Sequence, residues 1–225
     1  MLLSDLLRDS LDTATLECWQ RERTAKPVRA FAVRLHAAGL SLREKEAILR
    51  LLGVERSFQA VFQWVHRLSD SVSDPPKATP RRVAVGETAV KINGEWSWLY
   101  AAIDLDTKVI LDVVLFKRHG TNPAAAFLHG VCETHDCSET VFLADSFGYR
   151  TAFSRFRLNG RVDHTDRNLI EKWFQTFKVR VDRFHNSWVG SRLSVRRWLA
   201  VFVHYYNFQR PHQSLNGRPP AQEVN

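Results

Sequence analysis

Hydrophobic positions recur at helical spacing through the first 70 residues and then change period. Leu42, Ala47, Ile48, Leu51 and Leu52 follow Ser41 at helical intervals. Ser41 with Glu44 three residues on has the form of a capping box, and Gly53 suits a helix end. Ser57 then stands as N-cap to a second run, Phe58, Val61, Phe62, Val65 and Leu68. Two short helices around a glycine turn make a helix-turn-helix pattern. The second would expose Gln59, Gln63 and Arg67, residue types that read base edges or phosphates. The same spacing also describes an ordinary helical hairpin, and spacing alone does not separate the two.

Residues 71–80 contain three prolines in the six positions from Pro75 to Pro80. Proline lacks a backbone donor and favours extended chain, so a linker is expected at 75–80, with a helical region before it at 1–74. From Arg82 to Ile92 the pattern alternates with β-branched residues. Asn93-Gly94 marks a tight hairpin, Trp96–Asp104 the returning strand, and Val109–Phe116 a third strand after Asp106-Thr107. A helix is expected from Asn122-Pro123 to about His135, capped by Asn122 or Thr121 with Pro123 at its first position. Thr140–Ala144 is a short apolar strand that ends at Asp145. Helices are expected over Asn168–Phe184 and Ser194–Asn207, with ordered packing ending at Gly217-Arg218-Pro219-Pro220. Strands, a crossover helix and another strand point to an α/β domain with a mixed sheet.

The chain has 225 residues, 44% hydrophobic, enough to bury a sizeable core, and a net charge of +8. The charge is unevenly placed. Residues 81–150 carry 7 Lys/Arg against 9 Asp/Glu, whereas residues 151–225 carry 13 against 5. An acidic middle beside a basic tail suits carboxylates that hold cations next to groups that hold phosphates. Cys18, Cys132 and Cys137 form no paired framework, which points to a reducing compartment. The cluster Cys132, His135, Cys137 lacks a fourth ligand at zinc spacing and is taken as a helix end and loop. The start, Met1-Leu2-Leu3, is broken at once by polar residues and is unlike a signal peptide. No apolar run has the length of a membrane span, so an intracellular, cytoplasmic protein is expected.

Two carboxylates draw attention. Asp145 follows the apolar run Val141-Phe142-Leu143-Ala144, and open sheets place functional groups at such strand ends. It could equally cap the next helix. Glu171 lies early in its helix beside Leu169, Ile170, Trp173 and Phe174. A favourable dipole interaction accounts for a glutamate there as readily as metal binding does. The tail contributes His204-Tyr205-Tyr206-Asn207 and Arg210-Pro211-His212, which suit core packing or a DNA-gripping surface.

The order of these motifs carries a resemblance. Tyr206-Asn207, Arg210-Pro211-His212, Leu215 and Pro219–Ala221 resemble the tail of retroviral-integrase-like transposases. Glu87–Lys91, Trp98–Asp104, Asp145, Asn168–Glu171 and Arg183–His185 resemble the IS-six family of insertion-sequence transposases, its archaeal branch in particular. The likeness covers nearly the whole chain. It implies a ribonuclease-H-like mixed five-stranded sheet flanked by helices over 81–225, behind an all-α helix-turn-helix region. It also implies a triad of two aspartates and a glutamate that holds two Mg2+ ions for DNA cleavage and strand transfer. The second aspartate corresponds to Asp145 and the glutamate to Glu171, as both catalytic residues and metal ligands. The first position reads Val85-Gly86-Glu87-Thr88, so Gly86 stands where the first aspartate belongs. Glu87 cannot replace it, because adjacent strand residues face opposite ways, and Asp104 is not expected to rescue the site.

The expected partners are double-stranded DNA, as element ends and target, and a second copy of the chain on DNA, with no membrane. Arg56, Gln59, Gln63, Arg67, Arg167, Lys172, Lys178 and Arg210 are the expected DNA contacts. A nucleoid-associated location follows. The alternative is a catalytically inactive DNA-binding regulator of transposition. A non-transposase nuclease of similar fold leaves the helix-turn-helix and the tail motif unexplained.

Overall fold

The structure is a computed structural model; it describes residues 23–144, 147–162, 170–175, 178 and 190–224. The chain divides into two compact units. One takes in the described residues up to Ser73 together with Leu193–Tyr205. The other takes in Asp74–Arg192 and Tyr206 onward.

The first unit is helical: α1 (Lys26–Ala37), α2 (Leu42–Leu51) and α3 (Phe58–Ser69). The expected capping box is present on α2. The Glu44 N–H donates to Ser41 Oγ at 3.2 Å, and the Ser41 N–H donates to Glu44 Oε2 at 2.6 Å. Gly53 takes φ +74°, a backbone turn that side chains disfavour, and Ser57 caps α3 through the Ala60 N–H. Val33, Leu49, Val61, Trp64, Val65 and Leu68 are buried together. Val201 joins them from a further helix, Arg192–His204, so most of that helix belongs to this unit although it lies far along the chain. Arg197 on it grips Asp70 bidentately, at 3.2 and 3.1 Å, and reaches His66 Nδ1 at 2.9 Å.

The second unit is built on a five-stranded sheet in the order β3-β2-β1-β4-β5. Its strands are β1 (Arg82–Ile92), β2 (Glu95–Asp104), β3 (Ile110–Phe116), β4 (Val141–Ala144) and β5 (Asn159–Val162). The first three pair antiparallel, and β1, β4 and β5 run parallel, which is the ribonuclease-H-like arrangement expected. Asn93 and Gly94 both take positive φ at the first hairpin, as a primed turn requires. Helices α4 (Thr121–Thr134) and α5 (Phe147–Phe156) follow β3 and β4. They cover one face, burying Val83, Val85, Tyr100, Phe127, Leu128 and Phe142. The ring of Phe153 occupies the place of a side chain on residue 160, so Gly160 lets α5 lie directly on β5.

Several expectations need correction. Helix α4 begins at Thr121 behind Gly120, with no side-chain cap, and Asn122 instead accepts from Arg155 Nη1 at 2.8 Å. The reason is tertiary: Gly120 turns at φ +116° and its N–H donates to the Tyr100 hydroxyl. The late helix spans Arg192–His204, numbered α7 here, and passes into a π turn at Tyr205–Gln209 instead of running to Asn207. The 75–80 stretch is fastened along the second unit. The Ala78 N–H donates to His135 Nδ1, and the Pro80 carbonyl accepts from the Thr140 hydroxyl. Packing does not end at Gly217 either. Pro220–Glu223 forms a 3-10 turn, Arg218 pairs with Glu223 at 3.0 Å, and Val224 packs against the core. Helix α5 and strand β5 carry no strong periodic signal in the sequence.

Candidate active site

Side chains alternate across β1, and this decides what the site contains. Val83 and Val85 point into the core under α4 and α5. Gly86 therefore opens on the opposite face, toward the helical residues 170–175, here α6. A Cβ on residue 86 would lie 3.2 Å from the ring edge of Phe174 and 3.6 Å from Ile170 Cγ1. A cleft of about 300 Å3 lies here, lined among others by Gly86, Thr88, Ile170, Glu171, Phe174 and Lys178. Glu171 is half-buried and Lys178 exposed. Both line the cleft, which brings an anion and a cation to the same opening.

Gly86 and Glu171 meet in the cleft, and Lys178 joins them. Asp145 follows directly on Ala144, the last residue of β4, but lies outside the described residues, as does Arg167. The parallel register of β1 and β4 runs to Ala84↔Leu143, so Gly86 lies two residues beyond it.

Glu87 and Asp104 both lie against other groups. Glu87 pairs across the sheet with Tyr100 and contributes to its raised phenol pKa. Burial is the largest cause there, pushing the group up to about 12. Asp104 is opposite Val83, three residues before Gly86. Its carboxylate accepts the Asp106 N–H at 2.9 Å and the Thr107 hydroxyl at 2.6 Å, closing the β2–β3 turn.

At position 86 a carboxylate-built two-cation site lacks a ligand. Divalent cations of this kind need several oxygen ligands that balance their charge. Gly86 offers none, and the side chains facing it, Ile170 and Phe174, are apolar and buried. Among the described residues no cluster of three or more His, Cys, Asp or Glu could hold a metal. That includes Cys132, His135 and Cys137. His135 is spent on structure: Nδ1 accepts from Ala78, and Nε2 donates to the Leu111 carbonyl at 3.2 Å. Burial holds its pKa below the usual range. Cys132 and Cys137 hydrogen-bond to each other, which raises the first thiol and lowers the second.

The expected DNA contacts divide between the units. Gln59, Gln63 and Arg67 are exposed on α3, and Arg56 is exposed in the turn before it. Arg56 is partly held by the fold, donating to Thr24 Oγ1 at 2.6 Å and to the Glu55 carbonyl at 2.7 Å. Lys172 and Lys178 are exposed on the second unit, where the Arg210 guanidinium lies 5.3 Å from the Tyr206 ring centre. Two further exposed cations lie near α3. Arg43 and Arg50 are both exposed and flank a groove beside Ser57 and Gln59 at the start of α3. They stand seven residues apart on α2, and Arg50 pairs with Glu46 at 3.1 Å. No helix among the described residues is long and apolar enough to cross a membrane.

Residues 81–189 match the DDE domain of IS240-type transposases. The transposase for the insertion sequence-like element IS431mec of Staphylococcus aureus is 25% identical over 196 residues, covering 82% of this chain and 86% of that protein. An uncharacterized protein of Methanocaldococcus jannaschii, MJ0017, is 23% identical over 193 residues, covering 84% and 90%. The HTLV-2 integrase catalytic core domain, solved in complex with magnesium, overlays 67% of this chain and all of its own. Its TM-score is 0.44, at 11% identity.

Proposed function

We propose that this chain is a transposase of the IS-six family of insertion sequences, which it resembles, and that it binds the ends of an insertion sequence as duplex DNA and is impaired in cutting them. Gly86 carries the reading. In the family arrangement the first aspartate of the triad stands there, and here the position has no side chain and faces Ile170 and Phe174. Asp145 and Glu171 are the remaining members, catalytic residues and metal ligands in relatives that hold two Mg2+ ions. Two carboxylates neutralise such a pair of cations less well than three, so Mg2+ binding is weak.

DNA binding does not depend on that site. It rests on α3 with Gln59, Gln63 and Arg67, on Arg43 and Arg50 beside it, and on the basic second unit with Lys172, Lys178 and Arg210. Arg56 and Arg167 extend the same set. The active form is a dimer or larger assembly on paired ends. A chain that holds ends without cutting them competes with active copies, which is the regulator reading.

The test compares the chain with Gly86→Asp on the DNA flanking its own gene. Both are expected to shift the end fragments, and only Gly86→Asp to nick them with Mg2+. Vigorous Mg2+-dependent cleavage by the unaltered chain overturns the impairment. Failure of either protein to prefer the ends over unrelated duplex overturns end recognition.

A further inference from the structure

A row of aromatic side chains runs out of the core along one face of β2. Strand alternation puts Trp96, Trp98 and Tyr100 on the same side. Tyr100 is fully buried, with its ring edge against Phe116 at 5.2 Å. Trp98 is half-buried and stacks on His119 at 4.7 Å. Trp96, at the hairpin tip, is 57% exposed.

Cations surround the open end of the row. Lys91 is the cross-strand partner of Trp96, and its Nζ lies 5.5 Å from the ring centre. Phe116 pairs with Trp98, and the next three residues are Lys117, Arg118 and His119, all exposed. Glu95 is the one acidic residue in the hairpin tip between Lys91 and Trp98. The tip is also braced. The Asn93 side chain donates to the Gly190 carbonyl at 2.7 Å and accepts from its N–H at 3.0 Å. Arg192 reaches Ser97 Oγ at 2.6 Å and the Leu115 carbonyl at 3.1 Å.

We infer that this rim is a contact for an unpaired nucleotide of DNA, with Trp96 stacking on the base and Lys91, Lys117 and Arg118 holding the neighbouring phosphates. An indole offers every base a π face, and such stacking tolerates any sequence. The cations around it match a phosphate backbone. A second copy of the chain is the poorer occupant. One indole amid Asn93, Gly94 and Glu95 falls far short of the roughly 800 Å2 per partner that a stable interface buries. The inference rests on the DNA-binding reading above and adds a site which that reading does not use.

The test measures fluorescence anisotropy of labelled oligothymidine and of a duplex of equal length, at several salt concentrations. Trp96→Ala is expected to weaken oligothymidine binding roughly tenfold with the salt slope unchanged, and duplex binding much less. Trp96→Phe keeps most of the affinity. Lys117→Gln with Arg118→Gln lowers the salt slope, by about 0.7 per lost contact on single strands. Equal oligothymidine affinity in Trp96→Ala and the parent overturns the inference. So does a Trp96→Ala protein whose sedimentation shows a dissociated dimer while each protomer binds DNA as before. If the parent binds duplex ends normally but not oligothymidine, only this inference falls; if it binds no DNA, the functional reading falls with it.

Discussion

The Asn207 side chain holds both backbone polar groups of Ile110: its Oδ1 accepts the Ile110 N–H at 2.9 Å and its Nδ2 donates to the Ile110 carbonyl at 2.9 Å. Asn207 is completely buried and lies 97 residues from its partner. It completes the start of edge strand β3, whose backbone groups would otherwise be buried unpaired. Asn207→Ala leaves a donor and an acceptor unmet, which costs about 2–4 kcal/mol at 1–3 kcal/mol each after partial relaxation. Urea denaturation should show a lower midpoint with little change in slope. A midpoint within error of the parent contradicts the role. Asn207→Asp should be no better, because a carboxylate cannot donate to the carbonyl and carries charge into the core.

The two sheet glycines should respond differently to alanine. At Gly86 the nearest atom is one ring carbon of Phe174 at 3.2 Å beside an open cleft, so a shift of a few tenths of an ångström admits the methyl. Gly86→Ala should change stability by less than about 1 kcal/mol, since β-strand alanine regains backbone entropy that glycine loses. Gly160→Ala drives a methyl into the Phe153 ring and should cost about 2–3 kcal/mol. Thermal melts of the two variants side by side check the ordering, and equal melts refute it.

Lys45 is fully buried, with its ammonium nitrogen on His36 Nδ1 and on the Leu40 carbonyl at 2.9 Å. Burial lowers Lys45 from 10.5 to about 7, partly opposed by Glu44. Burial and then Lys45 lower His36 from 6.5 to about 3. Both folded-state values are depressed, so the unfolded chain binds more protons across each interval. The stability linked to Lys45 is full above about 10.5 and is lost as pH falls toward 7. That linked to His36 is full above 6.5 and is lost toward 3. Melting of the first unit should therefore rise with pH from 7 to 9. Lys45→Met should flatten that rise and stabilise the unit at neutral pH. A parent profile that falls over this range refutes the assignment.

Arg43 and Arg50 are suited to phosphates, not to bases, given their place beside the start of α3. Either change to Ala should weaken binding to all duplexes alike and lower the salt slope by about 0.9 on B-DNA. Gln59→Ala or Gln63→Ala should instead narrow the preference for element ends, by about 1–3 kcal/mol if the residue reads a base. Anisotropy titrations on end and scrambled duplexes separate the two patterns. A loss confined to end sequences in Arg43→Ala contradicts the phosphate assignment.

The helix-turn-helix and the β1–β2 hairpin were legible because their signals are local. Ser41 and Glu44 satisfy each other within one turn, and Asn93-Gly94 meets the backbone demands of a two-residue turn without help. Gly86 drew notice in the sequence as a glycine inside an otherwise ordered set of motifs. Strand alternation put Glu87 on the face opposite Gly86, and its register partner Tyr100, a residue of the buried core, agrees.

What the chain's own pattern determined, then, was which segments form which elements, because capping, turn geometry and periodicity act over a few residues. Tertiary structure decided the rest, because the decisive partners lie far apart in sequence. Gly120 starts α4 because Tyr100 holds its N–H. Most of α7 joins the first unit through Val201 and through Arg197 with its Asp70 clamp. Asn207 serves β3 and not DNA. The side chains that face Gly86 across its cleft, Phe174 and Ile170, come from a helix more than eighty residues away, and no spacing along the chain encodes that contact.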